Sequence, residues 1–139
     1  MKLWNGCRKS GARAWIIVFF VALLVFPTLA VCRLSRRCDA RLIVGYLIVV
    51  SGLSYFLYRR DKRKAEAGAW RIPESTLHLT ELAGGWPGAF IAQRVFRHKI
   101  RKLNYQLQFW TIIASHQFMA FDFLQDWRYS RQALSLLQP

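Results

Sequence analysis

Apolar residues in this chain are gathered into long blocks rather than spaced along the faces of amphipathic helices. The first block, Ala14 to Val31 (AWIIVFFVALLVFPTLAV), carries no charge. At about 1.5 Å per residue it is long enough to cross most of the hydrocarbon layer of a bilayer. It is longer than the apolar core of a secretory signal, roughly 7 to 15 residues, and a second block follows almost at once. It therefore reads as a spanning helix, even though Thr28, Leu29 and Ala30 have a small-x-small look and Cys32 follows; Val31 is too large for the position before a lipidated cysteine. The second block is Leu42 to Tyr58, and the segment between, Cys32 to Arg41, suits a tight polar turn between antiparallel helices. Gly45 and Gly52 lie on one face of the second block and would let a neighbouring backbone approach closely. Tyr55 and Tyr58, followed by Arg59 and Arg60, suit the level where that helix leaves the lipid.

Beyond Arg71 the pattern changes. Pro73, Glu74 and Ser75 suit the first turn of a new helix whose apolar side is Leu77, Leu79 and Leu82. Gly84, Gly85, Trp86, Pro87 and Gly88 break it, and a second short helix is expected from Pro87 through Arg97. The two halves make a broken helical hairpin. Irregular backbone at membrane depth survives only under protein or beside a wet cavity, so the hairpin is expected to be re-entrant or interfacial. The alternative is a fourth crossing from Leu77 to Phe96, which would carry Glu81 and Arg94 into lipid. The last long block is Leu103 to Phe121, where Asn104, Gln108, Thr111 and Ser115 form one stripe that should face protein, or else an aqueous cavity. The remainder, residues 122–139, reads as an amphipathic interfacial tail with Phe123 and Trp127 near the headgroups. The fold class expected is thus an all-α integral membrane bundle of three spans plus a hairpin, with four spans as the alternative. It divides into 1–58 (two spans), 59–121 (basic loop, hairpin and third span) and the tail.

Charge decides the orientation. Lys and Arg number 21 against 7 Asp and Glu, a net charge of +14, which favours a negatively charged neighbour. Loops on the cytoplasmic side of helical membrane proteins collect Lys and Arg, and this is the commoner cause of such a surplus. The segment before the first span nearly balances the turn after it. The tie is broken by Arg59 to Arg71 and Arg94 to Lys102, both strongly cationic, which are therefore expected inside. The amino terminus then lies inside too, and the Cys32 to Arg41 turn outside. An outer turn permits a disulfide between Cys32 and Cys38, with Cys7 reduced inside; three cysteines and no C-x-x-C pair make three ordinary thiols the plainer expectation. The localisation expected is the inner (plasma) membrane of a bacterium.

Two sets of residues could carry chemistry. Glu74, His78 and Glu81 fall at helical spacing on one face, and His98 could fold back beside them, a donor set suited to a metal. The structural reading comes first: Glu74 also fits the first turn of a helix, where its charge meets the positive end of the dipole, and His78 can serve a neighbour. No nucleophile motif, phosphate loop or cofactor fingerprint is present, so no cofactor is indicated, and a membrane-embedded enzyme or carrier using these four residues is the alternative to a protein that works by association. The second set is cationic: Arg59, Arg60, Lys62, Arg63 and Lys64 after the second span, then Arg94, Arg97, Lys99, Arg101 and Lys102, with His98 among them. Clusters beside a membrane bind anionic headgroups, each charge contributing about 1 kcal/mol. Nucleic acid phosphates with stacking on Trp70, Tyr105 or Phe109 rank lower, since nothing resembles a base-reading fold, and no protein partner is indicated. Asp61, Arg71, Glu74, Arg97 and Lys99 are expected to pair across the hairpin and fix how it docks.

The stretch Tyr58 to Trp110 (YRRDKRKAEAGAWRIPESTLHLTELAGGWPGAFIAQRVFRHKIRKLNYQLQFW) pairs a D-K, an R-I-P-E, an L-H, a G-G-W-P-G, an R-H-K and a late F-W. In that order these resemble a bacterial membrane family, the domain of unknown function 1294, over more than a third of the chain. One departure is Leu103 to Tyr105, where the family tends to have a small residue and then Phe. The resemblance implies no activity. Some members carry a cold-shock domain ahead of the membrane part, which would hint at nucleic acid; the thirteen residues before the first span are too few for such a barrel.

Overall fold

A computed structural model describes residues 4–36, 38–70, 72–97, 99–100 and 102–137, with side chains within 14–136. Every element among the described residues is helical: α1 (Trp4–Leu34), α2 (Ala40–Glu66), α3 (Glu74–Thr80), a π turn (Glu81–Gly85), α4 (Trp86–Phe96), α5 (Leu103–Leu124) and α6 (Arg128–Leu137). Both apolar blocks run on into longer helices than their apolar residues alone mark out. α2 starts where the Asp39 carboxylate accepts the N–H of Arg41 at 2.9 Å, filling one of the orphan donors of the first turn. Among the described residues, two helices are long and apolar enough to cross a membrane, Ala14–Leu34 and Ala40–Glu66. α5 is not a third by that measure, because Asn104, Gln106, Gln108, His116 and Gln117 interrupt it.

Side-chain contacts set the direction of each helix. Phe19 meets Trp110 with ring centres 5.8 Å apart, Gln117 donates to the carbonyl of Leu23 at 2.7 Å, and Phe26 meets Phe121 at 5.7 Å, so α1 and α5 run parallel. At their far end the Arg33 guanidinium donates to the carbonyls of Phe123 (3.2 Å) and Leu124 (2.6 Å) and pairs with Asp126. A cation there answers the unpaired carbonyls at the end of α5. Down α3, Ile72 lies beside Asp61, Thr80 beside Ser54 and Ala83 beside Tyr46, so α3 runs antiparallel to α2. The chain then reverses, and Gly88 lies on Ser51, Gln93 on Tyr58 and Phe96 on Tyr55 as α4 returns parallel to α2. Leu77 to Phe96 is therefore a hairpin seated along α2, not one continuous helix. Its tip lies beside residues 46–51, midway along the apolar part of α2.

Close approach makes that seat. A Cβ on Gly88 would stand 1.9 Å from the backbone oxygen of Ser51, and one on Gly85 would stand 2.9 Å from that of Val50. Gly84 makes the reversal, at φ +102°, a conformation side-chain-bearing residues rarely adopt. Pro87 follows in the first turn of α4, where its missing N–H has no helical partner to lose. The expectation that Gly45 and Gly52 provide the close contact is not met, since a Cβ on either would meet nothing within 4 Å. The small residues that matter are on the hairpin, because there a backbone, not a side chain, lies opposite.

The stripe on α5 is likewise a correction. Asn104, Gln108, Thr111 and Ser115 are exposed, and it is Tyr105, Phe109 and Ile113 that face the protein. Thr111 donates to the carbonyl of Leu107 (2.8 Å) and Ser115 to that of Thr111 (2.9 Å); hydroxyls satisfied on their own helix need no neighbour. The tail folds into α6, whose start is held by Asp122: its fully buried carboxylate accepts the N–H groups of Tyr129 (2.9 Å) and Ser130 (3.2 Å) and the Ser130 hydroxyl. Cys32 and Cys38 are both exposed free thiols.

Gly88→Ala is expected to unseat the hairpin, lowering stability by about 1–3 kcal/mol because backbone opposes the added methyl. Gly45→Ala should be neutral or better. Thermal unfolding of the detergent-purified variants compares them.

Candidate functional site

A cluster of polar side chains lies where the hairpin, α2 and α5 meet. Glu81, in the π turn, is fully buried, and such a carboxylate persists only if hydrogen bonds replace its water. Its Oε1 accepts the hydroxyls of Tyr58 (2.5 Å) and Tyr105 (2.9 Å), and its Oε2 faces Nδ1 of His78 at 2.7 Å. The two tyrosine hydroxyls also touch each other. Gln93 of α4 donates to the Tyr58 hydroxyl at 2.9 Å, and Gln106 donates to the Gln93 amide oxygen at 2.7 Å and to the carbonyl of Lys99 at 3.1 Å. Every element packed at this point contributes, α5 with both Tyr105 and Gln106. The His78 ring stacks on Tyr105 at 4.2 Å, and its Nε2 is buried with no hydrogen-bond partner among the described residues. His78 also lines an open groove of about 370 Å³, whose other walls are Leu107, Gln108, Thr111 and Ile112.

A second, charged layer lies beside the first. Lys99 is nearly buried: its ammonium is 3.2 Å from Asp61, 3.5 Å from Glu74 and 4.8 Å from the centre of the Tyr105 ring. Asp61, fully buried, also accepts the N–H of Ile72 at 3.0 Å and so ties the loop after α2 to that helix. Glu74 is shared between Lys99 and Lys102, the latter at 2.8 Å. Partial burial would raise the Glu74 carboxyl, but the Lys102 hydrogen bond and the charges of Lys99 and Lys102 outweigh it and hold the group below its ordinary value of 4.5.

Of the proposed ligand face, the structure joins His78 to Glu81 but turns Glu74 away, because Lys99 and Lys102 draw its carboxylate to the hairpin's open end. His98 lies outside the described residues, and among the described residues no three His, Cys, Asp or Glu gather as a metal would need. The expected pairing across the hairpin is present for Asp61, Glu74 and Lys99, while Arg71 is outside the described residues. Among the cationic set, Arg59, Arg60, Arg63, Arg94 and Arg97 are exposed, Lys64 is half-buried, Lys62 pairs with Glu66 at 3.5 Å, and Arg101 is not described. Sequence reasoning missed Tyr58, Tyr105, Gln93 and Gln106 as a group. A carboxylate inside an apolar stretch signals that donors must come from elsewhere, but nothing local says from where.

A family model described as "Protein of unknown function (DUF1294)" matches residues 51–105, a stretch that contains Tyr58, His78, Glu81, Gln93 and Tyr105. The chain is similar to the uncharacterized protein YsdA of Bacillus subtilis (strain 168), at 31% identity over 65 residues that cover 47% of this chain and 73% of that one. No solved structure matches.

Lys99→Met takes the ammonium from a buried carboxylate and is expected to destabilise by about 3 kcal/mol. Lys102→Met, at a solvent-exposed pair, should cost less than about 1 kcal/mol. Denaturant unfolding in mild detergent measures both. A carboxyl held low contributes stability above its unfolded value and loses it as pH falls through its folded one. The Glu74→Gln variant should therefore match the parent's loss of stability less closely below pH 4.5, falling more shallowly with acid.

Proposed function

The chain belongs to the DUF1294 family of proteins of unknown function, and within it we propose a small bacterial inner-membrane protein that works by association, its cationic end binding anionic phospholipid. In this reading α1, α2 and α5 cross the bilayer, the α3–α4 hairpin is re-entrant, α6 lies at the far interface, and the amino terminus is cytoplasmic.

What supports the membrane reading is the inversion of the usual soluble pattern. Ile17, Val18, Val21, Leu42, Ile48 and Val49 are each more than half exposed, while Ser54, Asp61, Glu81, Gln93 and Asp122 are buried. In water so much exposed apolar surface is unfavourable; in lipid it is solvated.

One observation carries the lipid-binding reading. The exposed arginines Arg59, Arg60 and Arg63 of α2 and Arg94 and Arg97 of α4 lie at the same end of the molecule, where Tyr55 meets Phe96 at 5.2 Å. Lys99 and Lys102, by contrast, are occupied by carboxylates, so among the described residues of this end these arginines are exposed charges left to meet a phosphate. The Arg94 guanidinium lies 4.8 Å over the centre of the Phe90 ring, a cation–π contact that holds it at this end while the residue stays exposed. Each such charge near an anionic surface contributes about 1 kcal/mol.

Native mass spectrometry of the detergent-extracted full chain counts retained phosphatidylglycerol. Replacing Arg59, Arg60, Arg63, Arg94 and Arg97 together with Gln is expected to strip most of it while leaving phosphatidylcholine retention unchanged. Equal phosphatidylglycerol retention in parent and variant refutes the reading. Reporters fused after Lys102 and after Pro139 should report inside and outside respectively.

A further inference from the structure

We propose that the cleft beyond the hairpin tip, walled by α1, α2 and α5, seats one hydrocarbon chain of an anionic phospholipid whose phosphate lies on Arg36 and Arg41 of the α1–α2 turn. The inference rests on the membrane reading given above, but it concerns the opposite end of the molecule from the arginines of α2 and α4.

The cleft follows from how the helices are paired. Phe26 on Phe121 and Gln117 on the carbonyl of Leu23 hold α1 to α5. The Tyr46 hydroxyl on the carbonyl of Ala83 and the seat of Gly88 on Ser51 hold α2 to the hairpin. The hairpin reaches only to the level of residues 46–51, and beyond its tip the two pairs enclose a space of about 660 Å³. Leu24, Val44 and Ile48 give it apolar walls, and Gly84, Trp86 and Pro87 form its floor. The His116 ring on the α5 wall already spends its Nδ1 proton on the carbonyl of Ile112, at 2.8 Å. Water gains little on such walls and an empty space forfeits dispersion contacts, so hydrocarbon is the matching filler.

Depth selects a lipid over a protein. At about 1.5 Å per residue, α2 advances about 10 Å from Val44 to Ser51 and α1 about 12 Å from Leu24 to Cys32, against about 15 Å for half the hydrocarbon layer. In the membrane reading the cleft thus runs from near the midplane to one face. A spanning helix from a partner would need the seat to continue through the other half, where the hairpin already lies along α2, with Thr80 beside Ser54 and Gln93 on Tyr58.

Charge selects the head. In the orientation proposed above, the turn of residues 32–41 faces outward, where loops carry few cations as a rule, yet it holds four Arg against Asp39 alone. Arg33 is taken by Asp126 and the last carbonyls of α5, and Asp39 caps α2. Arg36 and Arg41 are exposed. Arg41 stands one turn before Val44 on the same side of α2, and Arg36 follows Cys32 by four residues where α1 ends; Val44 and Cys32 are both wall residues. A phosphate at the mouth of the cleft is within reach of both.

The full chain in phosphatidylcholine liposomes, with a trace of phosphatidylglycerol bearing a diazirine at the end of one chain, tests the site. On illumination the label is expected in the peptide holding Gly84 to Pro87. Unlabelled phosphatidylglycerol should displace it saturably, and added phosphatidylcholine should not. Arg36→Gln together with Arg41→Gln should raise the phosphatidylglycerol needed for half displacement by about tenfold. Thr28→Trp, a change at an exposed position of the cleft wall, should remove the tip label and keep the label on Val21 and Val25, which are exposed on α1. Label on Val21 and Val25 with none at the tip, the result that a second copy seated in the cleft would give, overturns the proposal and leaves the membrane reading in place. So does a tip label that phosphatidylglycerol cannot displace, or displacement unchanged in the Arg36, Arg41 variant. A chain that takes no label at any of these places overturns both.

Discussion

At Gly88 a hydrogen atom stands where any other residue would put a carbon 1.9 Å from the backbone oxygen of Ser51, and that single steric fact governs what lies around it. Because α4 can lie directly on the α2 backbone, the hairpin is drawn in until Gly85 also approaches Val50 and Ser54. With the tip seated there, Glu81 and Gln93, on opposite arms, both reach the hydroxyl of Tyr58. A hairpin held even one side chain farther out would leave the Glu81 carboxylate without its two tyrosine donors. The glycines and the polar cluster are thus one device: the first sets the depth, and the second makes that depth tolerable for a charge.

The same logic explains how the interior is partitioned. Burying a carboxylate or an ammonium is unfavourable unless each is hydrogen-bonded and matched. Here the groups are kept in two layers, a hydroxyl-and-imidazole layer around Glu81 and an ion-paired layer of Asp61, Lys99, Glu74 and Lys102. Tyr105 joins them, its hydroxyl on Glu81 and its ring face 4.8 Å from the Lys99 ammonium. Satisfaction inside is what allows the outside to be apolar. At the other end of the molecule Arg33 and Asp122 do comparable work, one answering the last carbonyls of α5 and the other the first N–H groups of α6.

The functional reading rests on one part of this arrangement, the arginine end, whose residues are left over once the carboxylates have taken their lysines.

Much of this molecule is determined locally and was legible as such. The apolar blocks, the basic segments and the Gly-Gly-Trp-Pro-Gly break declare long helices and a reversal, because hydrophobic length and backbone propensity act within a few residues. The pairing of Asp61, Glu74 and Lys99 could be anticipated from charge alone. Local pattern could not decide which glycines touch a backbone, and Gly45 and Gly52 look as suitable in sequence as Gly85 and Gly88. Nor could it decide which stripe of α5 faces inward, since a threonine or serine that bonds its own helix is freed from needing a neighbour. The gathering of Tyr58, His78, Glu81, Gln93 and Tyr105 belongs to tertiary structure entirely. These residues come from five separate elements, and only packing at atomic distance tells a donor that reaches a carboxylate from one that points elsewhere.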